Sequence, residues 1–338
     1  MRERTIYTKD LTVSADKGLQ NEKDLNNDTK YIKWTSELKK SALKGKKLKY
    51  NPSKFILSLY KPFTKKWLYY DKSLVHRPGK YYEMWGTKNK VIFTTGRSTT
   101  RGFSVLVSNF IPEIKCQYNG QGFMEYNNRS KIGELIKNTS NINDVFLDKY
   151  GLSRKNVFAY IYGLLNSKEY CQKYKNDLNK DLARIPLVKE KQKYVEIGQK
   201  LMDLHLNYEK VPVYNNVDIQ YSSNSNYQVK KMKHPNKRNA EGKLEKDYST
   251  IIFNDSITIS NIPEKAYEYV VNGKPAIEWI MDQYQVKTDK KSGITDDPND
   301  YSDDPKYIFN LLLRIINVSV QTVDLINQLP PLAIIDDH

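Results

Sequence analysis

Apolar positions change their spacing twice along this chain. The first 49 residues are polar and rich in lysine, and a helix is predicted there only over 32–44, with Gly45 as its C-terminal stop. From Asn51 to about Met124, short apolar bursts alternate with turn residues, which predicts β-strands because β-branched and aromatic residues favour a pleated, half-buried surface. The strand candidates are residues 55–60, 67–70, 91–95 and 103–107.

A helical spacing begins near Lys155. The i, i+3, i+4, i+7 positions of one helix face are occupied by Phe158, Ile161, Tyr162 and Leu165. Ser167 is the predicted N-cap of a second helix that ends at Tyr174. Further predicted elements are a helix over 197–208, a hairpin of 250–253 with 256–260, a helix over 274–284, and a long helix around 308–318 that Pro330-Pro331 stops.

This order of elements predicts an α+β fold, since the regular βαβ alternation of a parallel sheet is missing. We expect a polar lead-in over 1–50, a β-rich region over 51–150, and a helical region over 151–333. The last region also carries a basic loop and the β-hairpin, and its C-terminal part is helical.

Charge gives the first indication of function. Of 338 residues, 55 are Lys or Arg and 39 are Asp or Glu, so the formal net charge is +16. Such a field attracts polyanions. An AT-rich coding sequence would also enrich lysine, asparagine, tyrosine and isoleucine without any contact to DNA. Charge alone therefore leaves both interpretations open.

Several protein classes are excluded or disfavoured. No apolar run approaches the roughly 18 residues of a spanning helix, and the charged start lacks a secretory signal, so we expect a cytoplasmic protein and no membrane partner. The two cysteines, Cys116 and Cys171, are too few for a disulfide scaffold or a multi-cysteine zinc site.

Catalytic motifs are also missing from the sequence. We find no phosphate-binding loop, and Gly120-Gln121-Gly122 lacks the third glycine of a dinucleotide site, so no cofactor is expected. The acidic stretch from Asp296 to Asp304 carries oxygen ligands suited to Mg²⁺ or Ca²⁺. Its Asp-Pro and Asn-Asp pairs are also ordinary turn formers. A metal-dependent nuclease that uses this stretch is the alternative function.

The positive evidence favours contact with double-stranded DNA. Arg97 and Arg101 lie in a loop bounded by Gly96 and Gly102, between two predicted strands that could hold a guanidinium in a groove. A second basic run, residues 227–239, mixes cations with amides, which suits phosphate and base-edge contacts. A flexible charged loop has the same composition. The remaining candidate DNA-binding residues are Lys88, Lys90, Gln121, Asn127, Arg129, Lys230, Lys231, Lys233, Lys237 and Arg238.

Longer stretches resemble a known family. They are AYEYVVNGKPAIEWI at 266–280, YQVKTDK at 284–290, DPND at 297–300, YKPF at 60–63, IYGLLNS at 161–167, DLARIPL at 181–187 and LHLNYE at 204–209. In these the chain is similar to the C-terminal specificity domain of type ISP restriction–modification enzymes, over most of its length. Tyr301 stands where that family is expected to have a tryptophan.

The resemblance implies a target-recognition domain without catalysis of its own. In such enzymes a nuclease, a helicase-like motor and an adenine methyltransferase precede this part, and they are the implied partners together with double-stranded DNA. KWT at 33–35 and LKGK at 43–46 are similar to the segment that leaves the methyltransferase, which makes residues 1–50 a linker. Base-contacting residues vary with the target site, so no base contact is transferred from the family.

Overall fold

A computed structural model describes residues 21–28, 34–46, 50–75, 82, 85, 89–127 and 139–335. The chain divides into two compact units. One comprises residues 1–57, 67–82 and 286–296, and the other comprises residues 58–66, 83–285 and 297–338.

The described residues form helices and short strands in the mixed order expected of an α+β fold, which confirms that prediction. The α-helices are α1 (Ser36–Leu43), α2 (Asp144–Tyr150), α3 (Arg154–Leu165), α4 (Lys168–Lys173), α5 (Lys175–Leu178), α6 (Lys191–Leu206), α7 (Ala276–Gln283) and α8 (Tyr307–Asn327). The first strands are β1 (Phe55–Lys61), β2 (Thr64–Tyr69), β3 (Val91–Thr94), β4 (Val105–Ser108), β5 (Ile111–Pro112), β6 (Gln121–Met124), β7 (Tyr126–Asn127) and β8 (Thr139–Ser140). The remaining strands are β9 (Asp218–Tyr221), β10 (Asn236–Arg238), β11 (Leu244–Lys246), β12 (Ile251–Ile252), β13 (Ile257–Ser260), β14 (Val270–Val271), β15 (Lys274–Pro275), β16 (Lys287–Thr288) and β17 (Thr295–Asp296).

The smaller unit contains α1, whose ends follow from its sequence. Thr35 caps the helix, because its Oγ1 accepts a hydrogen bond from Leu38 N–H at 3.2 Å. Gly45 follows the helix with φ at +64°, a backbone conformation that glycine adopts without strain. The predicted helix is therefore confirmed over its described part, while Ile32, the first residue of the predicted range, lies outside the described residues.

The four strand candidates are confirmed as β1 to β4. In the larger unit, β3 is the middle strand of a sheet of order β4-β3-β6 and pairs antiparallel with both neighbours. Every residue of β3 and β4 is buried. The apolar bursts in the sequence thus mark strands that are covered on both faces.

The predicted hairpin around position 254 is also confirmed. β12 pairs antiparallel with β13, and Ile257 and Ile259 are buried as expected. A third strand that the sequence did not predict, β9, pairs with the other edge of β13. The missing prediction has a physical cause, because β9 is mostly exposed and lacks a regular apolar alternation.

Two glycines bring α3 and α6 into backbone contact. A Cβ added at Gly198 would lie 2.0 Å from Ala159 O, and one added at Gly163 would lie 2.4 Å from Tyr194 O. Both separations are far below van der Waals contact, so only glycine allows this approach. Ser167 caps α4 as predicted, since its Oγ accepts from Tyr170 N–H.

The helix α8 is long and apolar enough to cross a membrane by length and composition alone. Eleven of its residues are buried inside the protein, however. Arg314 and Asn317, which interrupt its apolar run, donate hydrogen bonds to Val211 O at 3.1 Å and to Pro212 O at 2.8 Å. The helix is therefore a core helix of the larger unit.

A buried histidine joins three of these helices. His205 of α6 lies with Nε2 2.8 Å from Thr322 Oγ1 of α8 and with Nδ1 2.5 Å from Tyr162 Oη of α3. Thr322 Oγ1 already donates to Val318 O at 2.6 Å, so it accepts the proton of His205 Nε2, and Nδ1 accepts from Tyr162. Burial lowers the pKa of His205 to about 3, which keeps the ring neutral.

Candidate nucleic-acid interface

The loop between β3 and β4, residues 96–102, presents Arg97 and Arg101 and is named the arginine loop. Both side chains are exposed, while Thr99 between them is buried. Thr99 Oγ1 accepts a hydrogen bond from Arg101 N–H at 3.1 Å, and Ser98 N–H donates to Asn179 O at 2.8 Å. Defined contacts within the loop thus present two guanidinium groups from a fixed backbone.

The root of the arginine loop is tightly packed. Thr95 N–H donates to Ser104 O at 3.0 Å, and Gly96 N–H donates to Tyr118 O at 2.8 Å. A Cβ at Gly96 would lie 1.9 Å from Asn119 O, so glycine is required at this position. The predicted glycine boundary is therefore a close approach of two backbone segments.

Asn272 ties this root to the turn between β14 and β15. Its N–H donates to Ser104 Oγ at 2.8 Å, its Oδ1 accepts from Tyr118 N–H at 3.1 Å, and its Nδ2 donates to Cys116 O at 3.3 Å. Asn272 is buried with φ at +49°, and Gly273 follows with φ at +73°. Two positive φ values in succession are the signature of a type I′ hairpin turn, in which Asn-Gly is preferred.

The two guanidinium groups are only weakly engaged. Arg97 Nη2 lies 3.1 Å from Asp181 Oδ1, and both side chains of this ion pair are more than half exposed. Such exposed pairs contribute about 1 kcal/mol or less. Arg101 Cζ lies 5.9 Å from the centroid of the Tyr118 ring, which orients it by a cation–π contact. Both side chains can therefore exchange these contacts for an anion.

The other predicted residues near this sheet separate into two groups. Gln121 pairs with Thr94, at the end of β3 where the arginine loop begins. Lys90 precedes the other end of β3, where its Nζ lies 3.3 Å from Glu125 Oε2, and Asn127 lies in β7, which pairs with β8 in a separate sheet. Gln121 and Asn127 thus both lie in strands, β6 and β7. Two predicted residues lie outside the described part of the chain, Lys88 and Arg129.

The second basic region is ordered at its base. Its first three cations, Lys230, Lys231 and Lys233, are exposed. Val229 between these lysines and the core is buried, and its N–H and C=O both bond the side chain of Asn299 at 2.9 Å. Lys233 and Ile252 exchange two backbone hydrogen bonds, at 3.1 Å and 2.9 Å. This part of the chain is therefore anchored to the sheet that contains β12.

Residues 236–246, which the sequence indicated to be a basic loop, form a two-stranded β-ribbon of β10 and β11. The facing pairs are Asn236 with Lys246, Lys237 with Glu245, and Arg238 with Leu244. Every strand residue is exposed. Because neither face is buried, the ribbon has no apolar alternation, and the sequence could not distinguish it from a loop.

Three aromatic rings support the root of the ribbon. The ring centroids of His234, Tyr248 and Tyr267 lie 5.0 to 5.7 Å apart. His234 Nδ1 donates to Thr250 O at 2.8 Å, which assigns a proton to that nitrogen. The pKa of Asp247 is lowered to about 2 by hydrogen bonds that begin with the Ser249 hydroxyl and include Lys237. The carboxylate is thus charged across the physiological range.

One short stretch of chain supports both basic regions. The Tyr267 ring packs against Tyr248 at the root of the ribbon. Gly273 lies against Arg101, because a Cβ added at this glycine would be 3.0 Å from the Arg101 Cβ. Gly273 lies six positions after Tyr267, which limits the distance between these two supports to roughly 20 Å. A full turn of duplex DNA is about 34 Å long. The supports of the two basic regions therefore lie closer together than one turn of a duplex is long.

Of the two roles that its composition allowed, the acidic stretch has that of forming turns. Asp297 Oδ1 accepts from Asn299 N–H at 2.9 Å and Nδ2 at 2.7 Å, and Asp304 Oδ1 accepts from Lys306 N–H at 2.9 Å. These carboxylates cap turns of the chain. Within the described ranges no group of His, Cys, Asp or Glu is arranged to hold a metal ion. Nothing supports the alternative of a metal-dependent nuclease.

Two supporting residues were missed by sequence reasoning, Asn272 and Asn299. The Asn-Gly pair at 272–273 was a usable signal for a hairpin turn. We had instead predicted a helix beginning at Lys274, and the helix begins at Ala276, since residues 274–275 form β15. Asn299 gave no signal, because its contact with Val229 spans 70 positions.

Comparison with known proteins identifies close structural relatives. A nuclease-deletion mutant of the Type ISP restriction-modification enzyme LlaGI, in complex with a DNA substrate mimic, is 42% identical with a TM-score of 0.86. The ATP-dependent Type ISP restriction-modification enzyme LlaBIII, bound to DNA, is 41% identical with a TM-score of 0.88. A DrdV–DNA complex, 22% identical with a TM-score of 0.80, shares the fold. No curated protein sequence matches the chain.

These alignments cover 98% of this chain in each case. The chain spans 31%, 22% and 33% of the length of those three relatives, respectively. The family model described as the Type ISP C-terminal specificity domain matches residues 5–311. With nine-tenths of its length matched, the chain belongs to the Type ISP C-terminal specificity domain family.

Proposed function

We propose that the chain recognises a short sequence in double-stranded DNA and positions an adenine methyltransferase that lies elsewhere in a type ISP restriction–modification enzyme. The observation that carries this proposal is the pair of exposed arginines, Arg97 and Arg101, on a loop held by hydrogen bonds to the buried side chains of Thr99 and Asn272. The relatives whose structures contain DNA support it.

In this proposal the domain binds but performs no chemistry. Phosphate contacts from Arg97, Arg101 and the lysines around 230–233 fix the register of the duplex, and polar side chains contact base edges. Methylation of an adenine requires that the base leave the stack, and the flanking duplex must be held while it does so. The motor and the nuclease of the parent enzyme would act from the same bound position, in the cytoplasm.

We further propose that residues 1–50 connect the methyltransferase to the specificity domain. Residues 51–150 would contribute the β-rich part of the recognition region, and residues 151–333 the helical part with the basic segment. The position of the arginine loop on β3 and β4 supports a recognition role for the β-rich part.

The test is a fluorescence-anisotropy titration of the chain with a 30-base-pair duplex over a range of salt concentrations. We expect the binding constant to fall steeply with salt, because each phosphate that is neutralised releases counterions. Replacing Arg97 or Arg101 by alanine should cost roughly 1–3 kcal/mol if the side chain contacts a base, and should lower the salt slope by about one if it contacts a phosphate. Absence of duplex binding at low salt would refute the proposal.

A further inference from the structure

The two faces of the β10–β11 ribbon differ in chemistry. Facing residues of an antiparallel pair share a face, and successive residues alternate. One face therefore carries Asn236, Arg238, Leu244 and Lys246. The opposite face carries Lys237 and Glu245, together with Asp247, which continues the ladder by donating its N–H to Pro235 O at 2.8 Å.

The face with Lys237 is occupied by its own contacts. Lys237 Nζ lies 3.3 Å from Asp247 Oδ1. Asn239 Nδ2 donates to Glu245 Oε2 at 3.4 Å. This face thus carries one cation against two carboxylates, so it has no net positive charge to offer a polyanion.

The face with Arg238 is not compensated. Among the described residues, Arg238 and Lys246 form no ion pair, and Arg238 Nη1 instead donates to Gly242 O at 2.8 Å. That contact holds the guanidinium across the ribbon with its other N–H groups unused. The Leu244 side chain beside it is 66% exposed, so its apolar surface is open to contact with a ligand.

The ribbon also has suitable dimensions. Each strand has three residues, or roughly 10 Å at ~3.4 Å per residue. The major groove of B-DNA is about 12 Å wide and about 8.5 Å deep, and it admits a two-stranded ribbon. The root is fixed by the Lys233–Ile252 backbone pair and the ring of His234, so entry into the groove would cost little ordering entropy.

We propose that the ribbon enters the major groove and that its face with Asn236, Arg238, Leu244 and Lys246 contacts the base edges. An arginine can pair with two acceptors of guanine, an asparagine with adenine, and a leucine can contact the methyl group of thymine. The target site then contains a short block of bases whose identity depends on this face. The inference rests on the proposed DNA recognition and assigns the direct sequence contacts to this ribbon.

The test selects preferred sites from a randomised 24-base-pair duplex library with the full chain and with single variants. Arg238→Ala and Leu244→Ala remove side chains of the proposed contacting face. Lys237→Ala is the matched control, because it removes the same positive charge from the same strand on the opposite face. Thermal melting of each variant checks that the fold is retained, which is expected because all three positions are exposed.

We expect the unsubstituted chain to enrich one motif and Arg238→Ala to lose preference at one position, with affinity for that motif reduced about 5- to 150-fold. Leu244→Ala should relax a neighbouring position, and Lys237→Ala should leave the motif unchanged. If all variants enrich the same motif equally, the ribbon assignment is overturned and the proposed function stands. If the unsubstituted chain binds no duplex or enriches no motif, the proposed function itself is overturned.

Discussion

Substitution of Asn272 tests the support of the arginine loop. The side chain of this buried residue bonds Tyr118 N–H and Cys116 O, and the backbone has φ at +49°. Alanine removes both hydrogen bonds and, unlike asparagine, has no polar side chain that offsets the strain of the left-handed region. Glycine removes the same hydrogen bonds but adopts that backbone without strain.

The magnitude follows from these separate losses. The left-handed conformation costs alanine roughly 1–2 kcal/mol. An unpaired buried N–H or C=O costs about 1–3 kcal/mol, and the bond to Cys116 O is long at 3.3 Å, so we assign about 2–3 kcal/mol to the pair. We therefore expect Asn272→Gly to lower the free energy of unfolding by about 2–3 kcal/mol and Asn272→Ala by about 3–5 kcal/mol.

Urea denaturation followed by fluorescence measures both values. Asn261 provides a control, because it has φ at +59° but is exposed. Comparing Asn261→Gly with Asn261→Ala isolates the backbone cost, and the difference in stability between these two variants should match that between the two variants at position 272. If Asn272→Gly lost less than about 0.5 kcal/mol, the proposed buried hydrogen bonds would not support the loop.

Two further predictions concern the helical core. Gly198→Ala should lower the free energy of unfolding by about 3 kcal/mol or more, because the added Cβ would lie 2.0 Å from Ala159 O. The control Lys200→Ala changes an exposed residue of the same helix and should lower it by less than about 1 kcal/mol. Urea denaturation measures both variants, and equal stabilities would contradict the helix contact. His205 has a folded pKa of about 3 against an ordinary 6.5, so the unfolded chain binds the proton first and stability falls as pH drops below about 6.5. The contribution of His205 to the free energy of unfolding should fall by about 2 kcal/mol between pH 7 and pH 5, and His205→Gln should lack this contribution. If the unsubstituted chain and His205→Gln showed the same pH dependence of stability, this prediction would be refuted.

The sequence predicted those elements whose signal is local. Ser167 and Gly45 were correct as a cap and a stop because a helix end depends on one or two residues. The apolar runs of β3 and β4 were correct because both strands are fully buried. Local patterns therefore account for the helices and for the buried strands.

The candidate site was less accessible to sequence reasoning. The arginine loop was predicted from its glycines and charges, yet its support by Asn272 depends on contacts about 155 positions apart along the chain. The ribbon has polar residues on both faces, so periodicity gave no signal. Lys90 and Gln121 were predicted together, but the sheet places them at opposite ends of β3, which only the strand register reveals.

Hydrogen exchange of the backbone amides, measured by mass spectrometry with and without a bound duplex, tests the central claim most directly. The account predicts slower exchange in the arginine loop, residues 96–102, and across residues 230–247 when the duplex is present. The exposed side of α6 around Glu196 and Lys200 should be unchanged. Protection confined to α6, or no protection at either basic region at a saturating duplex concentration, would contradict it.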